Sequence, residues 1–179
     1  VGLPFPVTPK HNSILALLTV GLPILAIAAW ARPGTPSRRL LHAVGHFIFP
    51  AAFTVAVVCL GVYLLYLQRT GDLDVARSAL TTVSVLCGLL LIPFVEPPTR
   101  AWVAGDELSG DWRPSALAVM MLSAYAVVLS VPGLRGFFEL VPLRPVDYAL
   151  LVGVVAVWAL ALREIWRRRL FERLVARPV

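Results

Sequence analysis

Long apolar runs separated by short polar connections set the plan of this chain. Residues 1–12 carry Pro4, Pro6 and Pro9 and read as non-helical. Ser13 is the expected N-cap of a first apolar span over 13–31. Residues 32–39, rich in Pro, Gly and Arg, form a tight polar connection to a second span over 40–67, with Pro50 inside it. A short charged loop over 68–76 precedes a third span over 77–95. The longest connection, 96–114, mixes acidic and basic residues and leads to a fourth span over 115–131. A loop over 132–145, with Phe137 and Phe138 at a membrane interface, leads to a fifth span over 146–162. A basic tail over 163–179 closes the chain. A helix needs about 17 to 25 apolar residues to cross the hydrocarbon core. The pattern therefore predicts an all-α integral membrane bundle of five transmembrane helices, one transmembrane domain over 1–179, with no repeat and no low-complexity tract.

The first span carries its own interruption, Leu18-Thr19-Val20-Gly21-Leu22-Pro23. A spanning helix has to satisfy its carbonyls internally, because lipid offers them no hydrogen bonds. Pro23 has no N–H, and its helical partner would be the carbonyl of Thr19. Gly21 lowers the cost of bending between them. The span is thus expected to break at Gly21–Pro23, leaving a Thr19 hydroxyl and a spare Thr19 carbonyl at membrane depth. Oxygen-rich breaks of this kind hold cations in transporters. The plain alternative is a proline kink that holds no ligand.

Composition agrees with the spans and adds an orientation. The 179 residues are 59% hydrophobic with a mean hydropathy of +0.82, which excludes a soluble domain of this size. The net charge of +6 comes from arginine, Lys10 being the one lysine. With the tail placed in the cytoplasm, eleven of the sixteen basic residues fall on the cytoplasmic side. That bias sets the N-terminal end outside and the tail inside, in a plasma membrane, and it is a topology signal and not one for nucleic acid. The arginine tail is expected to meet anionic lipid headgroups, and Trp102, Trp112, Tyr148 and Trp166 to anchor the helices at the interfaces. Cys59 and Cys87 lie inside apolar spans and read as small core residues. The chain opens at Val1 in loop-like sequence and is expected to be a piece of a longer polypeptide.

The run Phe5-Pro6-Val7-Thr8-Pro9-Lys10-His11, followed by Leu17-Leu18-Thr19-Val20-Gly21-Leu22-Pro23, resembles the outer loop and sixth membrane helix of bacterial P-type cation-transporting ATPases. That helix carries a Thr-Asp-Gly-Leu-Pro type motif in the family, and four more helices follow it to a cytoplasmic C-terminus. The count and orientation here are similar. The resemblance implies the sixth to tenth helices of such a pump, carrying a divalent cation such as calcium or magnesium. It implies as partners the bilayer and the pump's remaining helices and cytoplasmic domains, where ATP and magnesium would bind. The chain departs from calcium and sodium pumps in having Val20 where they have an acidic residue and Ala16 where they have an asparagine. Two side-chain ligands of such pumps are missing.

The chain carries no Asp-Lys-Thr-Gly-Thr phosphorylation sequence and no glycine-rich phosphate loop with a lysine. Alone it is expected neither to bind nor to hydrolyse ATP, and no catalytic residue or resident cofactor is assigned to it. Thr19 is the leading cation ligand, with Gly21 and Pro23 breaking the helix around it. Thr81, Thr82 and Ser84 in the third span could add oxygens opposite Thr19, or bond their own backbone and permit close packing. His42 and His46, four apart on one helical face, could hold a metal, but two ligands fall short of the three or four that zinc takes from protein. Glu96 reads as a solvated boundary residue. The other functional class open to the sequence is a small independent membrane protein, structural or accessory, without transport of its own.

Overall fold

The computed structural model describes residues 5–30, 40–95 and 111–167. Every regular element among them is a helix, and five are long and apolar enough to cross a membrane. The first span, Pro9–Trp30, starts four residues ahead of the expected Ser13. Thr8 is its N-cap: its backbone is extended and its hydroxyl accepts the His11 N–H at 3.3 Å. Pro9 then fills the first helical position, where its missing N–H costs nothing. Ser13 lies inside the helix, donating its hydroxyl to the Pro9 carbonyl at 2.8 Å.

The second helix, Leu40–Thr70, and the third, Leu73–Val95, are joined by two residues where the charge pattern suggests a nine-residue loop. Gly71 adopts a φ of 66° and its N–H closes on the Leu67 carbonyl at 2.9 Å. This is a left-handed termination that glycine makes readily. The Asp72 carboxylate then accepts the N–H groups of Asp74 and Val75 at 2.9 and 3.3 Å. Asp72 and Asp74 thus open the third helix, where a negative charge is favoured by the helix dipole. The fourth span is Arg113–Ser130 and the fifth lies in Pro145–Arg167, which begins on a proline. The stretch between them is not all loop: Pro132–Phe137 is a short helix. It ends in a Schellman-type turn with Glu139 at a φ of 58°, the Leu140 N–H reaching the Arg135 carbonyl at 3.0 Å. Phe137 and Phe138 meet edge to face at 5.0 Å beside it.

The third helix is the hub. Of its span, 61% is buried inside the protein, against 17–28% for the other four. One face, Ala76, Ala79, Val83 and Cys87, packs on Tyr63 and Tyr66 of the second helix and on Leu151, Val155, Trp158 and Leu162 of the fifth. Its other face, Val85, Leu89 and Ile92, packs on Ile14 and Leu18 of the first and Leu117, Met121 and Tyr125 of the fourth. Small residues let helices approach closely in lipid, where packing and not water exclusion drives association. Polar ties add to this packing: Thr82 Oγ1 of the third helix and Tyr125 OH of the fourth lie 2.9 Å apart, and Trp158 Nε1 of the fifth donates to Thr54 Oγ1 of the second at 3.1 Å. Phe49, Phe53, Val57 and Leu60 of the second helix and Val152, Val157 and Leu160 of the fifth are exposed, as lipid-facing residues are. Trp112 is exposed at the start of the fourth span, and Tyr148, half-buried, accepts the Leu143 N–H at 3.4 Å. Glu96, Trp102, the side chain of Trp166 and the tail beyond Arg167 lie outside the described residues.

At the end of the bundle where the chain starts, three segments are latched together. Lys10 pairs with Glu139 at 2.9 Å, and His11 Nε2 donates to the Glu139 carbonyl at 3.2 Å. Ser78 accepts the Val141 N–H at 2.8 Å, and Arg77 donates to the Phe5 carbonyl at 2.8 and 3.2 Å. The hydrogen bond from Lys10 holds the Glu139 carboxyl below its ordinary range. A carboxyl lowered in this way stabilises the fold above its unfolded pKa, and that contribution is lost as pH falls through the lowered value. Hydrogen-exchange protection of Leu140 and Val141 is therefore expected to fall with acidification. Glu139→Gln is expected to show the weaker protection at every pH. Equal protection across that range in the unaltered protein would remove Lys10–Glu139 from the latch.

Candidate cation site

The first span is one kinked helix built in three parts. Pro9–Ala16 and Leu22–Trp30 are α-helical, and Leu17–Gly21 between them is a π-helical segment. The Leu22 N–H closes that segment on the Leu17 carbonyl, five residues back. The next residue is Pro23, which has no N–H for the carbonyl five back, Leu18, or four back, Thr19. Pro23 therefore removes one donor from the ladder just where the register changes. Gly21 ends the segment, and a methyl there would meet the Ala16 carbonyl oxygen at 3.6 Å, an ordinary contact. Its part is flexibility, not space.

Thr19 sits in the middle of the segment, half-buried. Its Oγ1 donates to the Leu15 carbonyl at 2.7 Å. A hydroxyl has one proton and two lone pairs, so the donation leaves the oxygen free to accept. The side chain faces the third helix at Gly88: a Cβ added there would lie 2.7 Å from Thr19 Cγ2 and 2.9 Å from Thr19 Cβ. Leu18 and Pro23 are buried beside it, while Leu17, Val20 and Ile24 are exposed. Val20 thus points away from the other four spans.

The further candidates in the third helix have other partners. Thr81 Oγ1 donates to the Arg77 carbonyl at 2.9 Å. Thr82 Oγ1 donates to the Ser78 carbonyl at 2.8 Å and meets Tyr125. Ser84 Oγ lies 3.1 Å from Cys59 Sγ. The three are directed to their own backbone, the fourth span and the second span, and none hydrogen-bonds Thr19. Cys59 and Cys87 are buried free thiols. The side chains of His42 and His46 lie outside the described residues. Among the described residues no three of His, Cys, Asp and Glu come together, so a cation at the break would be held by hydroxyl and carbonyl oxygens. Hard cations accept such ligands. Sequence reasoning missed Gly88 and Tyr125. A glycine in the most apolar part of a membrane helix is the signal that could have found the first.

Four apolar helices around a fifth, buried one, the first of them opened by a π segment and a proline, make a multi-pass membrane protein. The family model described as cation transporting ATPase, C-terminus, matches residues 33–169, more than half of the chain, and the chain belongs to that family. It is thus the C-terminal membrane part of a P-type cation-transporting ATPase. The first span lies ahead of the matched residues. Comparisons with curated proteins and with solved structures found no match.

Proposed function

We propose that this chain forms the sixth to tenth helices of a bacterial P-type pump and supplies part of the path of a divalent cation, calcium or magnesium. The observation that carries the reading is the π segment that ends against Pro23, with the Thr19 hydroxyl inside it turned to the third helix. Thr19 is the side-chain ligand in this reading, and Gly21 and Pro23 keep the helix open. The first span runs inward from outside, the arginine tail lies in the cytoplasm, and the membrane is the plasma membrane; the arginine distribution supports that orientation. ATP and magnesium act on cytoplasmic domains of the pump, whose phosphorylation sequence this chain does not contain.

Charge sets a further requirement. A bare divalent ion in low dielectric is costly, and Val20 offers no carboxylate. Its charge is then neutralised by pump helices that meet the exposed strip of Leu17, Val20 and Ile24. Membership of the pump family favours this reading over an independent accessory protein. The test is Thr19→Val in the complete transporter, which keeps the shape and removes the hydroxyl. Half-saturation of ion-dependent phosphorylation is expected to rise about tenfold, the size of one lost polar ligand. Unchanged half-saturation at normal expression would leave the break as a kink without a ligand.

A further inference from the structure

Gly88 lies in the third helix at the level of the break. Non-bonded carbons settle about 3.5–4.0 Å apart. A methyl at Gly88 would sit 2.7 Å from Thr19 Cγ2 and 2.9 Å from Thr19 Cβ, both on a branched side chain whose hydroxyl is tied to Leu15. It could be accommodated only by parting the two helices or by turning Thr19 out. The contrast with other glycines is specific: Gly61 in the second helix and Gly153 in the fifth would meet nothing within 4 Å.

The geometry points to Gly88 as the positioning residue for Thr19, a bare stretch of the third helix that seats the π segment and keeps the Thr19 oxygen turned to the interior. The inference rests on Thr19 being a cation ligand. The π segment carries one residue more per bonded ring than an α-helix, so a return to α register would rotate one half of the span against the other by about 100°. The half toward the chain start is fixed by Lys10 and His11 on Glu139. Such a rotation would therefore fall on the half from Pro23 onward and change how Thr19 and Pro23 are set against each other and against the third helix. An empty position at Gly88 is what makes the π register the one that packs.

The test is isothermal titration of the purified complete transporter with calcium and, separately, magnesium. Gly88→Ala is expected to weaken binding about tenfold, the effect of overpacking that falls on the bound arrangement. Thr19→Ser keeps the hydroxyl and removes the nearest clashing atom, and its own affinity is the reference for the double variant. The double variant Gly88→Ala with Thr19→Ser is expected to bind within about threefold of Thr19→Ser alone, a coupling that independent sites do not show. Gly61→Ala is the control and is expected to change nothing. If Thr19→Val weakens binding and Gly88→Ala does not, the positioning role is wrong while the ligand role stands. If neither does, or neither ion binds the unaltered protein, the ligand role fails and this inference with it. Should Gly88→Ala not accumulate in the membrane, the double variant is compared with Thr19→Ser alone. A double variant that binds about tenfold or more weakly than Thr19→Ser alone would overturn the inference.

Discussion

Pro23→Ala in the complete transporter is expected to weaken cation binding by up to about a hundredfold, with no loss of thermal stability. Proline in a helix interior costs about 3 kcal/mol relative to alanine, and about 1.4 kcal/mol corresponds to a factor of ten. That cost favours the open form of the first span. Alanine restores an N–H that can close on the Thr19 carbonyl, so the helix gains a hydrogen bond and the site loses an oxygen. The π segment Leu17–Gly21 then has no missing donor to accommodate and is free to return to α register. Isothermal titration measures the affinity and a thermal melt in detergent measures the stability. Affinity unchanged by Pro23→Ala would mean that the spare carbonyl plays no part in holding the ion.

The second large effect concerns the bundle itself. Leu151, on the fifth helix, is 0% exposed and packs in the cluster shared with the second and third helices, whereas Leu160, on the same helix, is 64% exposed. Leu151→Ala is expected to destabilise the membrane domain by about 2 kcal/mol, near the low end for buried leucine. The low end applies because a leucine side chain gains little on leaving lipid for protein; what is lost is van der Waals contact across a cavity. Leu160→Ala is expected to leave the melting temperature unchanged, since its methyl groups only exchange lipid for lipid. The pair is read by thermal melting of the purified transporter in one detergent. Equal shifts for the two would mean that the fifth helix presents a different face to the bundle.

The five spans and the break in the first were legible because each rests on local chemistry: run length for the spans, a missing N–H for the break. Helix starts were less so. A proline-rich run reads as non-helical, yet Thr8 and Pro9 form a cap and a first position that suit a helix. Charges around Asp72 read as a loop, yet they open the third helix. The π form of the break was not legible, because it depends on which part of the third helix stands opposite. Nor were the directions of Thr81, Thr82 and Ser84. Successive helical positions diverge by about 100°, so three hydroxyls so close in sequence cannot all face one neighbour. Only the packing tells which span each one meets, and Thr82 meets Tyr125 while Ser84 meets Cys59. The family's acidic position, Val20, was read as a lost ligand; its exposure adds that the side chain faces away from the other four spans.

The most direct test is the position of the cation in an experimental structure of the complete transporter with the ion bound. Calcium is expected about 2.3–2.6 Å, or magnesium about 2.0–2.1 Å, from an oxygen of Thr19, with Gly88 across the gap and Pro23 one turn below. An ion bound elsewhere, with Thr19 still hydrogen-bonded to Leu15 and no cation within reach of its oxygens, would contradict this placement.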